Sequence, residues 1–95
     1  MRFEWDEDKA KTNVRKHGIG FDEAKTVFFE EDALLFSDPD HSEEDGRFLL
    51  VGPSALLRIL VVVHCHRVDD EVIRIISARK ATRREREAFM AVRSK

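Results

Sequence analysis

Apolar positions along the chain recur first at helical and then at alternating spacing. Phe3 and Trp5 alternate with charged residues, which predicts a short strand. Asp6 then stands as a helix N-cap, with Glu7 and Asp8 suited to the positive first turn. Lys16 and His17 suit the last turn and Gly18 a left-handed stop, so a helix is predicted over about residues 7–17. Ala24, Val27 and Phe28 form the stripe of a second helix over roughly 22–30, with Phe21 just before it. Three strands rich in β-branched residues follow at about 47–52, 56–66 and 72–80, separated by Gly52-Pro53-Ser54 and by Asp69-Asp70. Thr82-Arg83-Arg84-Glu85 is a capping box that opens a last helix to about residue 93, with Ala88, Phe89 and Val92 as its stripe. The order is βααβββα, with room for an extra short strand over 33–36. It predicts an α+β fold in which an antiparallel sheet carries two N-terminal helices and a C-terminal helix on one face.

Tight hairpins would fix which residues share a face, because side chains alternate with period two. Centring the second hairpin on Asp69-Asp70 sets Leu60 opposite Arg79 and His64 opposite Ile75. Centring the first on Pro53-Ser54 sets Phe48 opposite Ile59 and Arg47 opposite Leu60. One face then gathers Phe48, Leu50, Leu57, Ile59, Val61, Val63, Cys65, Ile76 and Ala78 as the core. The other carries Arg47, Leu49, Arg58, Leu60, His64, His66, Ser77 and Arg79. In this register Arg47, Leu60 and Arg79 form one row, with the arginine Cα atoms about 10 Å apart. Arg47 and Arg79 are therefore expected to converge on one reacting phosphate and stabilise its charge. Arg58, with Lys80, Arg83 and Arg84 beyond the strand end and Lys16 at the first helix end, is expected to bind substrate. Any one of these arginines is an ordinary solvent-facing residue; the grouping argues for an anion.

With 95 residues, 42% hydrophobic and 38% charged, the chain reads as one soluble domain spanning 1–95 with a modest core. The net charge of -2 gives no overall case for a polyanionic partner. The distribution does, since residues 74–95 carry eight Lys and Arg against Glu85 and Glu87 while the rest is acidic. Arg83, Arg84 and Arg86 also crowd the positive end of a helix, which an anion would relieve. The lone Cys65 leaves no intrachain disulfide or cysteine-rich zinc site and fits the cytoplasm. The apolar run 59–63 is too short to span a bilayer, so neither membrane insertion nor secretion is expected. Ser37 to Gly46 reads as an acidic solvated loop. His64 and His66 share a strand face without a third ligand, so no metal and no cofactor are expected. The chain lacks a glycine-rich phosphate loop, a nucleophile in a recognisable setting and paired carboxylates for two-metal chemistry. What remains suits metal-free RNA cleavage, where the substrate 2′-hydroxyl attacks and the protein adds a proton acceptor, a proton donor and cations. A non-catalytic regulatory module that binds nucleic acid or an acidic protein is the alternative.

Several of these motifs occur together in one known family. Phe3-Glu4-Trp5-Asp6 is followed by Lys9 and Asn13; Lys16-His17-Gly18 by Phe21, Glu23-Ala24 and Phe28; Arg47 by Gly52; and the segment from Arg74 to Ala81 leads into Thr82, Glu85 and Arg86. Over nearly its whole length the chain resembles the BrnT-type toxins of bacterial type II toxin–antitoxin systems. The resemblance implies a RelE-like ribonuclease fold, RNA cleavage that inhibits translation, and neutralisation by a small antitoxin. It also implies two toxins assembled with an antitoxin dimer, with operator DNA bound only through the antitoxin. Proton transfer goes to Lys9 and His17 on the family-like helix motif. RelE-type enzymes often use a tyrosine, and this chain has none, which leans the mechanism on Lys, His and Arg.

Overall fold

Side-chain caps set where the helices begin and end. The structure, a computed structural model, describes residues 1–39, 46–67, 69 and 71–94. In α1 (Glu7–His17) the Asp6 carboxylate accepts from the Asp8 and Lys9 amides at 2.9 and 3.0 Å. The helix stops at Gly18, whose φ of 70° lets its N–H reach the Val14 carbonyl at 2.9 Å. The second helix, α2 (Phe21–Thr26), is shorter than its apolar stripe predicts, because Val27–Phe29 tighten into a 3-10 turn. Thr26 ties off that end, donating to the Glu23 carbonyl at 2.6 Å and accepting from the Ala55 amide at 2.8 Å. Phe28 and Phe29 pack on Phe3, with ring centroids 5.3 and 5.9 Å away. The last helix, α3 (Arg83–Arg93), opens with the reciprocal capping box of Thr82 and Glu85.

Five strands, β1 (Arg2–Glu4), β2 (Leu34–Ser37), β3 (Arg47–Pro53), β4 (Ile59–Arg67) and β5 (Val72–Lys80), make one sheet in the order β1-β5-β4-β3-β2. The short strand β2 is one of its edges, so the chain order carries one strand more than βααβββα. The sheet is mixed, not antiparallel as expected, because β1 runs parallel to β5. Parallel pairing needs a long crossover, and everything from α1 to β4 lies between these two strands. Residues 40–45 of the expected acidic loop, and Asp70 of the expected turn, lie outside the described residues.

The expected register of β3 on β4 is corrected. A loop of residues 54–58 joins them, closed by Ser54 N–H to the Arg58 carbonyl at 2.8 Å and Leu57 N–H to the Ser54 carbonyl at 2.9 Å. Arg47 therefore lies opposite Cys65, and Pro53 opposite Ile59. Such an odd displacement exchanges the faces. Phe48 and Leu50 share a face with His64 and Val62, while Leu57 is exposed at the loop tip. The β4–β5 pair keeps the expected register at His64 and His66. It then slips by one at a bulge, where Val63 faces Ser77, His64 faces Ile75, and Ile76 has no partner across the ladder.

Helices cover both faces of the sheet, not one. Leu60, Val62, Ile75 and Ala78 pack under Ile19, Phe21, Ala24 and Val27 of the N-terminal helical region. Val51 and Val61 pack on the other side, under Phe89 of α3. The continuous apolar run 59–63 is what a strand buried on both faces requires.

One polar residue joins these layers. Asn13, midway along α1, is buried, and its carboxamide donates to the carbonyls of Ile19 and Ala78 at 2.8 Å each while accepting from the Ala78 amide at 3.1 Å. The strand β1 pairs only with residues 72–74, so past that point Asn13 takes the place of a neighbouring strand along β5. Replacing Asn13 with Ala strands one buried donor and two buried acceptors. Asn13→Ala should lower unfolding free energy by about 2–4 kcal/mol. Urea denaturation of parent and variant measures it, and a loss below about 1 kcal/mol would show that the bonds are dispensable.

Candidate functional site

The seam that Asn13 closes is also where the molecule is hollowed. Lys9, Thr12, Asn13 and Lys16 recur along one face of α1, as residues three or four apart must. With Asp8 and His17 they line a cleft of about 300 Å³ whose other wall is Ile76 and Ser77 of β5. The bulge leaves Ile76 unpaired and turns Ser77 to the sheet face that carries α3. Sequence reasoning placed Lys9, Lys16 and His17 separately; the fold brings the three together.

Arg79 lies on the same strand face as Ser77, two residues on and thus about 7 Å away. Its guanidinium grips Glu85 of α3 with both prongs, at 2.7 and 2.9 Å. A carboxylate presents two acceptor oxygens much as a phosphate does, so Arg79 is held in the fork geometry that suits phosphate. Its hydrogen bonds to Glu85, with some cost from burial, raise the Arg79 pKa, and the same bonds hold the Glu85 carboxyl down at about 2.

The other expected cations are dispersed. Arg47 and Arg79 do not form a row. Arg47 lies opposite Cys65 and Arg79 opposite Val61, four residues apart along β4 and on strands flanking it, so roughly 16 Å separates them. The cause is the length of the β3–β4 loop. Arg58 forms an ion pair with Glu23, which also accepts from the Ser54 hydroxyl at 2.6 Å, so this arginine pins the β3–β4 loop to α2. The Arg58 hydrogen bond is the main cause that holds the Glu23 carboxyl below its ordinary range. Lys80, exposed, pairs across from Leu60 and so belongs to the opposite face from Arg79. Arg83 bonds Glu87 at 3.1 Å and Arg86 donates to the Ala81 carbonyl at 3.0 Å, so the helix offsets part of its own crowding without an anion. Arg84 is exposed on the first turn of α3.

His64 belongs to the core. Its ring packs against Phe28 at 4.8 Å and His66 at 5.3 Å, and burial drives its pKa down to about 4. No three of His, Cys, Asp and Glu converge among the described residues. Asn13, Ser77, Glu23 and Glu85 were missed as site or anchoring residues. Only Glu85 carried a usable signal, its capping box six residues past Arg79.

A mixed sheet with helices on both faces and a polar cleft along one seam define a small α+β protein. Residues 5–85 match the family described as "Ribonuclease toxin, BrnT, of type II toxin-antitoxin system", and the chain belongs to that family. Among solved structures it is similar to the Brucella abortus ribonuclease toxin BrnT, determined at 1.1 Å resolution. The two share 29% identity with a TM-score of 0.67, over 87% of this chain and 99% of that one. No curated protein matches it. Membership places the chain among ribonuclease toxins of toxin–antitoxin systems, whose partner is an antitoxin.

Glu85 both caps α3 and holds Arg79, so Glu85→Ala should cost about 1–2 kcal/mol at neutral pH, most of it the cap because the ion pair is part-exposed. Since folding lowers the Glu85 pKa, its contribution is present above the ordinary value of 4.5 and is lost as pH falls towards 2. Urea unfolding of parent and variant at pH 7 and pH 3 should show the gap narrowing in acid; a gap that widens there contradicts this role.

Proposed function

We propose that the chain is a RelE-like, metal-independent endoribonuclease that acts in the cytoplasm and halts translation by cutting RNA. The observation that carries this reading is the cleft where Lys9, Lys16 and His17 face Ser77, with Arg79 two residues beyond it on β5. RNA supplies its own nucleophile. The 2′-hydroxyl oxygen attacks the adjacent phosphorus and loses its proton to His17 or Lys9, and the P–O5′ bond breaks. A protonated neighbour in the cleft returns a proton to the 5′ oxygen, leaving a 2′,3′-cyclic phosphate and a 5′-hydroxyl. Lys16 and Arg79 offset the charge that gathers on the pentacoordinate phosphate, and the Ser77 hydroxyl orients a phosphate oxygen. These groups account for each proton without a metal-bound water.

Family membership supports the toxin role and an antitoxin partner. The reading extends this to a DNA-binding antitoxin, two toxins joined by an antitoxin dimer, and operator DNA reached only through the antitoxin. A regulatory module that binds without cutting is the alternative, and growth arrest on expression separates the two.

Purified protein assayed on RNA in EDTA should cleave. Lys9→Ala and His17→Gln together should cost about 100-fold or more, and Arg79→Lys should lose most activity despite its charge. Cleavage abolished by EDTA would refute metal independence. Full activity in the Lys9/His17 double variant would move the chemistry out of the cleft.

A further inference from the structure

The corrected register builds a different arginine row from the one the tight hairpin predicted. Arg47 pairs with Cys65, Cys65 with Arg74, and Arg74 with Glu4, so these four lie in one line across β3, β4, β5 and β1. Two residues further along each of three strands, Arg67, Val72 and Arg2 form the next line on the same face. Packing of α3 is confined to the other end of this face, around Val51, Val61 and Ile59. Four guanidiniums thus share a stretch of sheet that no helix of the described residues covers.

Among the described residues a single carboxylate oxygen serves this group. Glu4 Oε2 accepts from Arg74 at 2.8 Å and from Arg67 at 3.1 Å. Among the described residues no carboxylate pairs with Arg47. Arginines gathered on an uncovered face add nothing to core packing and raise the local positive potential, which an anion from outside the fold would offset. Arg47 and Arg74 stand about 10 Å apart on either side of the small Cys65, a span within reach of two long side chains. Arg74 is followed on its strand by the bulge at Ile76 and by Ser77, which is a wall of the cleft.

We propose that this row, Arg47 and Arg74 with Arg67 and Arg2, is the track that holds the RNA backbone beside the cleft. The inference rests on the ribonuclease reading and gives Arg47 a binding role in place of a catalytic one. The ligand is a single strand gripped through its phosphates, without sequence preference from these contacts. An acidic protein segment is the less suited occupant. A protein needs apolar surface to bury, and the apolar groove of this face lies beside α3, lined by Leu34, Leu49, Val61 and Phe89.

The test is fluorescence anisotropy with a labelled 2′-O-methyl RNA strand, which lacks the nucleophile and cannot be cut. Arg47→Glu and Arg74→Glu are each expected to weaken binding about tenfold or more at low salt. Each should also reduce the slope of log affinity against log salt by about 0.7, the share of one phosphate contact. On cleavable RNA, KM should rise while kcat stays within about threefold. Lys11→Glu, on the exposed surface of α1, makes the same change in net charge and sets the baseline. Arg74→Glu removes a Glu4 contact that serves the fold, so Arg47→Glu decides the matter. If Arg47→Glu binds no worse than Lys11→Glu, or loses antitoxin and keeps RNA, the proposal is overturned. A kcat collapse with KM unchanged overturns it as well, by placing Arg47 at the reacting phosphate. Because the modified strand reports binding alone, the track stands or falls separately from the proton-transfer roles of Lys9 and His17.

Discussion

The Asn13 carboxamide is the constraint on which the arrangement depends. It spends both its donors and its acceptor on backbone groups: the loop after α1 on one side and Ala78 of β5 on the other. A buried amide that is fully satisfied specifies a single docking geometry, because shifting α1 by one residue would leave all these groups without partners. It thereby fixes which side chains of α1 look along β5. Lys9 and Lys16 sit one turn before and one turn after Asn13, and His17 ends the helix beside them. The cleft is the space left between a helix held by one central bond cluster and a strand whose edge has lost its neighbour.

Charge is organised around the same seam. The acidic majority of the chain is not spread evenly against the cations: Glu23 holds Arg58, Glu85 holds Arg79 and Glu4 holds Arg67 and Arg74. Each carboxylate holds its arginine partners in a fixed direction, which lowers the side-chain entropy left to lose in any further contact. The ion pair of Arg79 and Glu85 also ties the start of α3 to the strand end beside the cleft. The helix that covers the apolar half of the sheet face and Arg79, a cation of the proposed site, are therefore positioned by one contact.

Local signals in the sequence were enough for much of the fold. Asp6, Gly18 and the Thr82–Glu85 box bound their helices through groups within a few residues, and β5 spans the expected residues 72–80. The register was not legible in the same way. Its parity hinges on the β3–β4 loop length, and that loop is held by Ser54 and Arg58 reaching Glu23, some thirty residues away. The alternation argument also assumed a sheet with one buried face, whereas β4 is apolar on both. Nothing in the neighbourhood of Asn13, which stands among Lys9, Thr12 and Lys16 at helical spacing, signals that it is buried. Its burial follows from β1 ending at Glu4, a fact about another element. Lys9, Lys16 and His17 were named as candidates from the helix motif, yet only the tertiary seam shows that they share a cleft with Ser77.

The central claim is that RNA meets the protein at the α1–β5 seam. The most direct measurement is a backbone amide NMR titration of the isotope-labelled full chain with the uncleavable 2′-O-methyl strand. The account requires the largest shift changes at Lys9, Thr12, Lys16, His17 and Ser77, saturating together at one affinity. Changes confined to β2 and α3, with the amides of the seam unmoved at saturation, would contradict it.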